Sequence, residues 1–122
     1  MVLGGKFYFM ELNTLNNKII VKTRSAIVFV EYKQIHFFES FNGLVSMQTS
    51  DKEYQFRESL KNLEIILPDC FIRVHKSFII NKNSILELQF VKGDTYEAIF
   101  SSGNSALVSK KYLKKILLDE CE

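Results

Sequence analysis

The sequence predicts a mostly β fold, an antiparallel sheet or sandwich carrying two short α-helices. Three observations predict it. About nine β-branched or aromatic runs of strand length follow one another at close spacing, with turn residues between them. Helical periodicity occurs in only two places, one beginning near Arg57 and one near the C-terminus. No strand–helix–strand alternation is present, and no GxGxxG or phosphate-loop sequence accompanies it, which excludes a dinucleotide fold. With 122 residues, 47% of them apolar and only one Pro, the chain supports one real core and would struggle to fill two.

The elements follow in order. Residues 1–17 read as a linker or N-terminal extension, with Gly4-Gly5 as a joint and a short apolar patch from Phe7 to Met10 that lacks the n-region and cleavage site of a secretory signal. Lys18–Lys22 and Ser25–Glu31 have the apolar centres of partly buried strands. Tyr32–Glu39 alternates imperfectly, with Ile35 and Phe37 on one face and His36 and Phe38 on the other. Asn42-Gly43 is the strongest turn signal in the chain, because both residues tolerate positive φ and apolar runs flank them. Leu44–Thr49 and Glu53–Phe56 form a hairpin around Ser50-Asp51-Lys52.

From Arg57 to Leu67 the spacing of Leu60, Leu63, Ile66 and Leu67 predicts a helix that buries one face and wets Lys61 and Glu64. Pro68 ends it, since proline disfavours the helical conformation at the residue before it. Phe71–Ile80 returns to strand composition around a polar break at His75-Lys76-Ser77. Asn81–Asn83 turns into a strand over Ile85–Lys92, then Gly93-Asp94 and Ser102-Gly103-Asn104 separate Thr95–Ser101 from Ala106–Val108. Ser109 can cap a final helix running to Leu118, and residues 119–122 read as a tail.

The function classes narrow quickly. No run of eighteen apolar residues exists, so no transmembrane helix is available. His36 and His75 are the only histidines, and neither stands in a zinc-ligand or general-base pattern with a carboxylate, so no metal, cofactor or catalytic activity is expected. For His36, inside an apolar strand, a packed or hydrogen-bonded side chain is the expectation. Cys70 and Cys121 form no CxxC, and free thiols in a reducing cytoplasm are expected of them. The net charge is only +2, so any nucleic-acid binding must come from where the charges sit.

One stretch is specific. Phe71, Arg73, Val74, His75, Ser77, Asn81 and Ile85 fall in register with the signature of the LytTR DNA-binding domain, which the sequence resembles. The resemblance extends to Ile35-His-Phe-Phe-Glu-Ser40, to Ser59-Leu-Lys-Asn-Leu63 through Pro68, and to Val108-Ser-Lys-Lys-Tyr112, covering residues 18–118. It implies an elongated, mostly β domain that inserts loops into successive major grooves and usually follows a receiver domain in a bacterial two-component response regulator. It implies binding to promoter direct repeats, with a second protomer on the DNA.

The three base-contacting regions of the family fall here on the Asn42-Gly43 loop, on Lys76 and on Lys111. Physically, a lysine can donate to guanine O6 and N7, while serine hydroxyls and neighbouring lysines hold phosphates. Loops can do this if the scaffold projects them about one helical turn apart, ~34 to 36 Å. Ser77, Ser109 and Lys110 are therefore candidate phosphate contacts, with helix capping the plainer role for Ser109. Lys110, Lys111, Lys114 and Lys115 cluster near a helix N-terminus that itself favours an anion. Asn42 could pair with adenine or serve only as a turn residue. Arg73 and His75 read as structural.

The alternative is a protein-interaction module of a signalling protein, using an exposed β edge, the Phe7–Met10 segment, or a surface of Phe37, Phe38 and Phe41. The DNA reading makes a further expectation: Asp51, Glu53, Glu58 and Glu64 lie away from one basic edge formed by Lys76 and the late lysines.

Overall fold

The computed structural model describes residues 7–8, 12–22 and 25–118, and these form twelve strands and two α-helices. The central sheet has six strands in the order β1 (Phe7–Tyr8), β7 (Glu53–Phe56), β6 (Leu44–Thr49), β5 (Ile35–Phe41), β9 (Phe78–Asn81) and β8 (Phe71–His75). All its pairings are antiparallel except β1 with β7. A three-stranded sheet of β2 (Leu12–Leu15), β3 (Lys18–Lys22) and β4 (Ile27–Glu31) lies in the chain between β1 and the rest of the central sheet. Another, of β10 (Glu87–Lys92), β11 (Thr95–Ile99) and β12 (Ser105–Ser109), follows it. The stretch read as a linker thus contains two strands. Asn16, at φ 55°, makes the turn that lets Leu15 pair with Lys18. The segment offers too few apolar residues at period two to announce them. Phe9 and Met10 lie outside the described residues.

Two cores replace the single one that length suggested, and β5 and β9 are the wall between them. On one side Phe38 and Ile79 pack with Ile19, Val21 and Val30 of the first small sheet and with Leu60 and Leu63. On the other, Phe37, Phe78 and Ile80 pack with Ala98, Phe100, Ala106, Val108 and Ile116. The split is possible because alternate strand residues point to opposite faces, so strands apolar on both faces can serve two layers. The imperfect alternation around His36 has a cause. The register slips between Ile35 and Phe37, which places Ile35 with Phe38 rather than with Phe37. His36 is buried, stacked at 5.3 Å on Phe100 with Nδ1 3.2 Å from Ser102 Oγ, the packed histidine expected.

Helix α1 spans Leu60–Ile66, three residues shorter at its start than the periodicity suggested. Ser59 caps it, its hydroxyl accepting from the Asn62 amide at 3.1 Å, and a residue that caps cannot itself be helical. Buried Asn81, at the turn expected from Asn81–Asn83, is also a joint. Its Nδ2 donates to the carbonyls of Tyr32 and Ile35, each at 3.0 Å, and its Oδ1 accepts from the Asn83 amide. Cys70, expected as a free thiol, is disulfide-bonded. The chain's other cysteine, Cys121, lies outside the described residues. A count of two cysteines far apart in sequence carries no information on their separation in space, which is why the expectation failed.

Candidate nucleic-acid interface

Two tight turns lie at one end of the central sheet. Phe41 pairs with Leu44 across Asn42-Gly43, and His75 pairs with Phe78 across Lys76-Ser77. Because Glu39 opposes Phe78 and the Ser40 amide donates to the Ser77 carbonyl at 2.8 Å, the strand register sets the two turns side by side. Asn42 (φ 52°) and Gly43 (φ 78°) both occupy the left-handed region, as a two-residue hairpin turn of this kind requires. Asn42 is therefore a turn residue by conformation, and it is exposed.

The second turn is held from below. Arg73 donates from Nε to the His75 carbonyl at 2.9 Å and from one terminal nitrogen to the Lys76 carbonyl at 2.7 Å. Its other terminal nitrogen pairs with Glu64 of α1 at 2.6 Å. His75 Nδ1 accepts from the Ser77 amide at 3.1 Å, which requires that nitrogen to be unprotonated. Burial, followed by the positive charges of Lys76 and Arg73, holds the His75 pKa below its ordinary 6.5 and so favours that state. A slip in the strand pairing between Arg73 and His75 accompanies this arrangement. The outcome is an exposed Lys76 side chain on a backbone fixed by a guanidinium, an imidazole and a neighbouring strand. The reading of Arg73 and His75 as structural agrees with these bonds.

Ser109 ends β12, and its hydroxyl makes no capping bond. Lys110–Tyr112 form a 3-10 turn, and α2 begins only at Leu113 and ends at Leu118. The expected longer helix with its anion-favouring N-terminus at Ser109 is therefore replaced by a tight turn. Its first amide, that of Lys110, donates instead to the Asp94 carbonyl at 2.8 Å. The turn divides the four lysines. Lys111 and Lys115 line the same concavity as Lys76 and His75, while Lys110 and Lys114 do not. Lys111 Nζ sits 5.3 Å from the centre of the Tyr112 ring.

Thus the structure gathers Asn42, Lys76 and Ser77 at one sheet end, and Ser109 and Lys111 face Lys76 across a shared hollow. Lys110 stands beside it, exposed. Lys115, expected only as one of four clustered lysines, lines the hollow together with Tyr112, which the sequence offered merely as part of the Val108–Tyr112 resemblance. The expected separation of charge is incomplete, because Glu64 and Asp69 line the basic hollow too. Of the aromatic surface considered for protein contact, Phe37 and Phe38 are buried and only Phe41 is exposed. Among the described residues no group of three or more His, Cys, Asp or Glu side chains is placed to hold a metal, and no helix is long and apolar enough to cross a membrane.

A layered β scaffold that exposes lysines on a braced hairpin turn and a terminal 3-10 turn offers a basic surface of the kind that suits nucleic-acid phosphates. The chain belongs to the LytTR family: the profile of the LytTr DNA-binding domain matches residues 25–118. It is 35% identical over 101 residues to the sensory transduction protein LytT of Bacillus subtilis, covering 82% of this chain and 42% of that protein. It is 35% identical over 74 residues to the transcriptional regulatory protein LytR of Staphylococcus aureus, covering 60% and 30%. The chain spans less than half the length of these curated relatives. A solved LytTr DNA-binding domain from Bacillus cereus superposes with a TM-score of 0.73 at 25% identity, covering 84% of this chain and 98% of that one.

Proposed function

We propose that residues 18–118 are the sequence-specific, double-stranded DNA-binding unit of a bacterial transcription regulator, working in the cytoplasm without cofactor or catalytic step. The observation that carries this reading is the brace under Lys76. A flexible lysine on a loose loop can neutralise phosphate, but reading a base edge needs a fixed origin, and Arg73, His75 and Ser40 supply one. Lys76 and Lys111 then donate to guanine edges, Asn42 to adenine, and Ser77, Ser109 and Lys110 hold phosphates. Two protomers on a direct repeat complete the arrangement. The regulator names carried by the relatives support the same reading.

Fluorescence anisotropy with a promoter duplex and a random duplex, at two salt concentrations, tests it. Lys76→Ala and Lys111→Ala each weaken specific binding by about 1–3 kcal/mol if they read bases. Contact with phosphate alone instead weakens both duplexes alike and lowers the salt slope by about one. Unchanged binding in both variants rejects these roles.

One observation favours a second reading, a protein-interaction module. The edge strand β10 and its approach leave Leu86, Phe90 and Val91 68%, 62% and 47% exposed, and an open apolar strand edge is a pairing template. Complete absence of DNA binding at low salt selects it.

A further inference from the structure

Between the Lys76 turn, the loop after α1 and the start of α2 lies a half-open cavity of about 1020 Å³. Its walls differ in chemistry. Pro68 and Phe71, both half-buried, give it an apolar side, and Arg73, Lys76, Lys111 and Lys115 give it a cationic one. The lining carries two more cations than carboxylates, and one carboxylate, Glu64, is already engaged by Arg73. Among the described residues Lys76, Lys111 and Lys115 make no ion pair. The Ser109 hydroxyl, which makes no capping bond, and the Tyr112 side chain join the cationic side.

Size decides what such a hollow suits. One phosphate group of a DNA strand fills little more than the room of a few water molecules, each worth ~30 Å³ of liquid volume, whereas this cavity matches the upper end of small-molecule sites, ~300–1000 Å³. A duplex laid across the mouth would satisfy the lysines and leave the wall of Pro68 and Phe71 unfilled.

The geometry points to a binding site for a small organic phosphate, an aromatic or alicyclic monoester whose phosphate takes Lys76, Lys111 and Lys115 and whose ring lies on Pro68 and Phe71. Its bound form competes with DNA, because two of these lysines belong to the proposed DNA contacts. Only that competition rests on the DNA reading; the ligand site does not.

The test uses the whole chain, with phenyl phosphate as probe and inorganic phosphate as control, followed by amide NMR shifts. Phenyl phosphate is expected to shift Phe71, Tyr112 and Lys115 together and to bind about tenfold tighter than inorganic phosphate, a difference of about 1.4 kcal/mol. Lys115→Ala is expected to weaken it by about tenfold, as loss of one charge-assisted contact does. At constant ionic strength, saturating phenyl phosphate lowers DNA affinity severalfold. Equal affinity for the two phosphates, or shifts scattered over outlying lysines such as Lys52 and Lys92, overturns the site. If Lys115→Ala lowers the DNA salt slope while phenyl phosphate leaves the cavity amides unmoved, the phosphate that this cavity takes is the DNA backbone, and the ligand site is rejected. Cavity shifts in a protein that binds no DNA uphold the site and reject the DNA reading.

Discussion

The two hairpin turns at the end of the central sheet are neighbours of equal length, yet they are stabilised in opposite ways. Asn42-Gly43 is determined by its own residues: both take positive φ, and the backbone needs no help from elsewhere. Lys76-Ser77 contains no such residue, and its shape is imposed by Arg73, Glu64 and His75 from outside the turn. A self-determined turn can change its exposed side chain only within the set that tolerates a left-handed backbone. A braced turn is free to carry a lysine, and the brace rather than the turn bears the constraint.

The difference can be broken most severely at Arg73. Arg73→Ala removes the charged donor to two carbonyls, and we predict a loss of about 3 kcal/mol in urea denaturation together with weakened DNA binding, while the Asn42 and Gly43 amides keep their NMR positions. A milder change separates the two roles of Asn42. Asn42→Gly preserves positive φ but deletes the amide, so affinity for the promoter duplex should drop by about 1–2 kcal/mol with thermal stability nearly unchanged. Equal affinity would leave Asn42 as a turn residue only.

Gly43→Ala reverses that result. Open space surrounds the position, so only the backbone is strained, and about 1 kcal/mol of stability should be lost without effect on the Lys76 turn. The smallest effect is expected from pH. His75 and His36 both have folded pKa values held below 6.5 by burial, so the unfolded chain takes up protons first as pH falls. Stability is full above about 6.5 and is lost progressively as pH falls through the folded values. Glu39, raised above 4.5 by burial and then by Glu53, works in the opposite sense at more acid pH. Melting temperature across pH 5–8, with His75→Asn removing the part due to that turn, checks the sign.

Much of this was readable from the chain, and the exceptions share a cause. Composition and turn residues placed about nine runs that hold ten of the strands, Phe71–Ile80 supplying two, because β-branched runs and Asn-Gly or Gly-Asp punctuation are local signals. The LytTR resemblance singled out Lys76 and Lys111 by a long signature in register, and the fold brings both to one hollow. What stayed hidden depends on contacts between distant residues. The bulge at His36 shows only against β6, the engagement of Glu64 only once α1 lies beside β8, and the Cys70 disulfide only in three dimensions. Ser109 failed as a cap for a similar reason. The backbone after it closes into a 3-10 turn whose first amide, that of Lys110, is held by the distant Asp94 carbonyl, and the serine hydroxyl makes no capping bond there.

Asn81 has a kinetic consequence. Its bond to the Tyr32 carbonyl spans 49 residues, and the β5–β9 pairing that it fastens separates the two cores, so neither core can close by local contacts alone. Chains whose native pairings are this distant fold in about milliseconds to seconds rather than microseconds, since the entropy of closing the loop must be met before any contact repays it. The end of the sheet that carries both turns needs that same pairing. We therefore expect stopped-flow refolding to show Phe78 and the Lys76 turn ordering with the slow, global step, and the Asn42-Gly43 hairpin forming ahead of it.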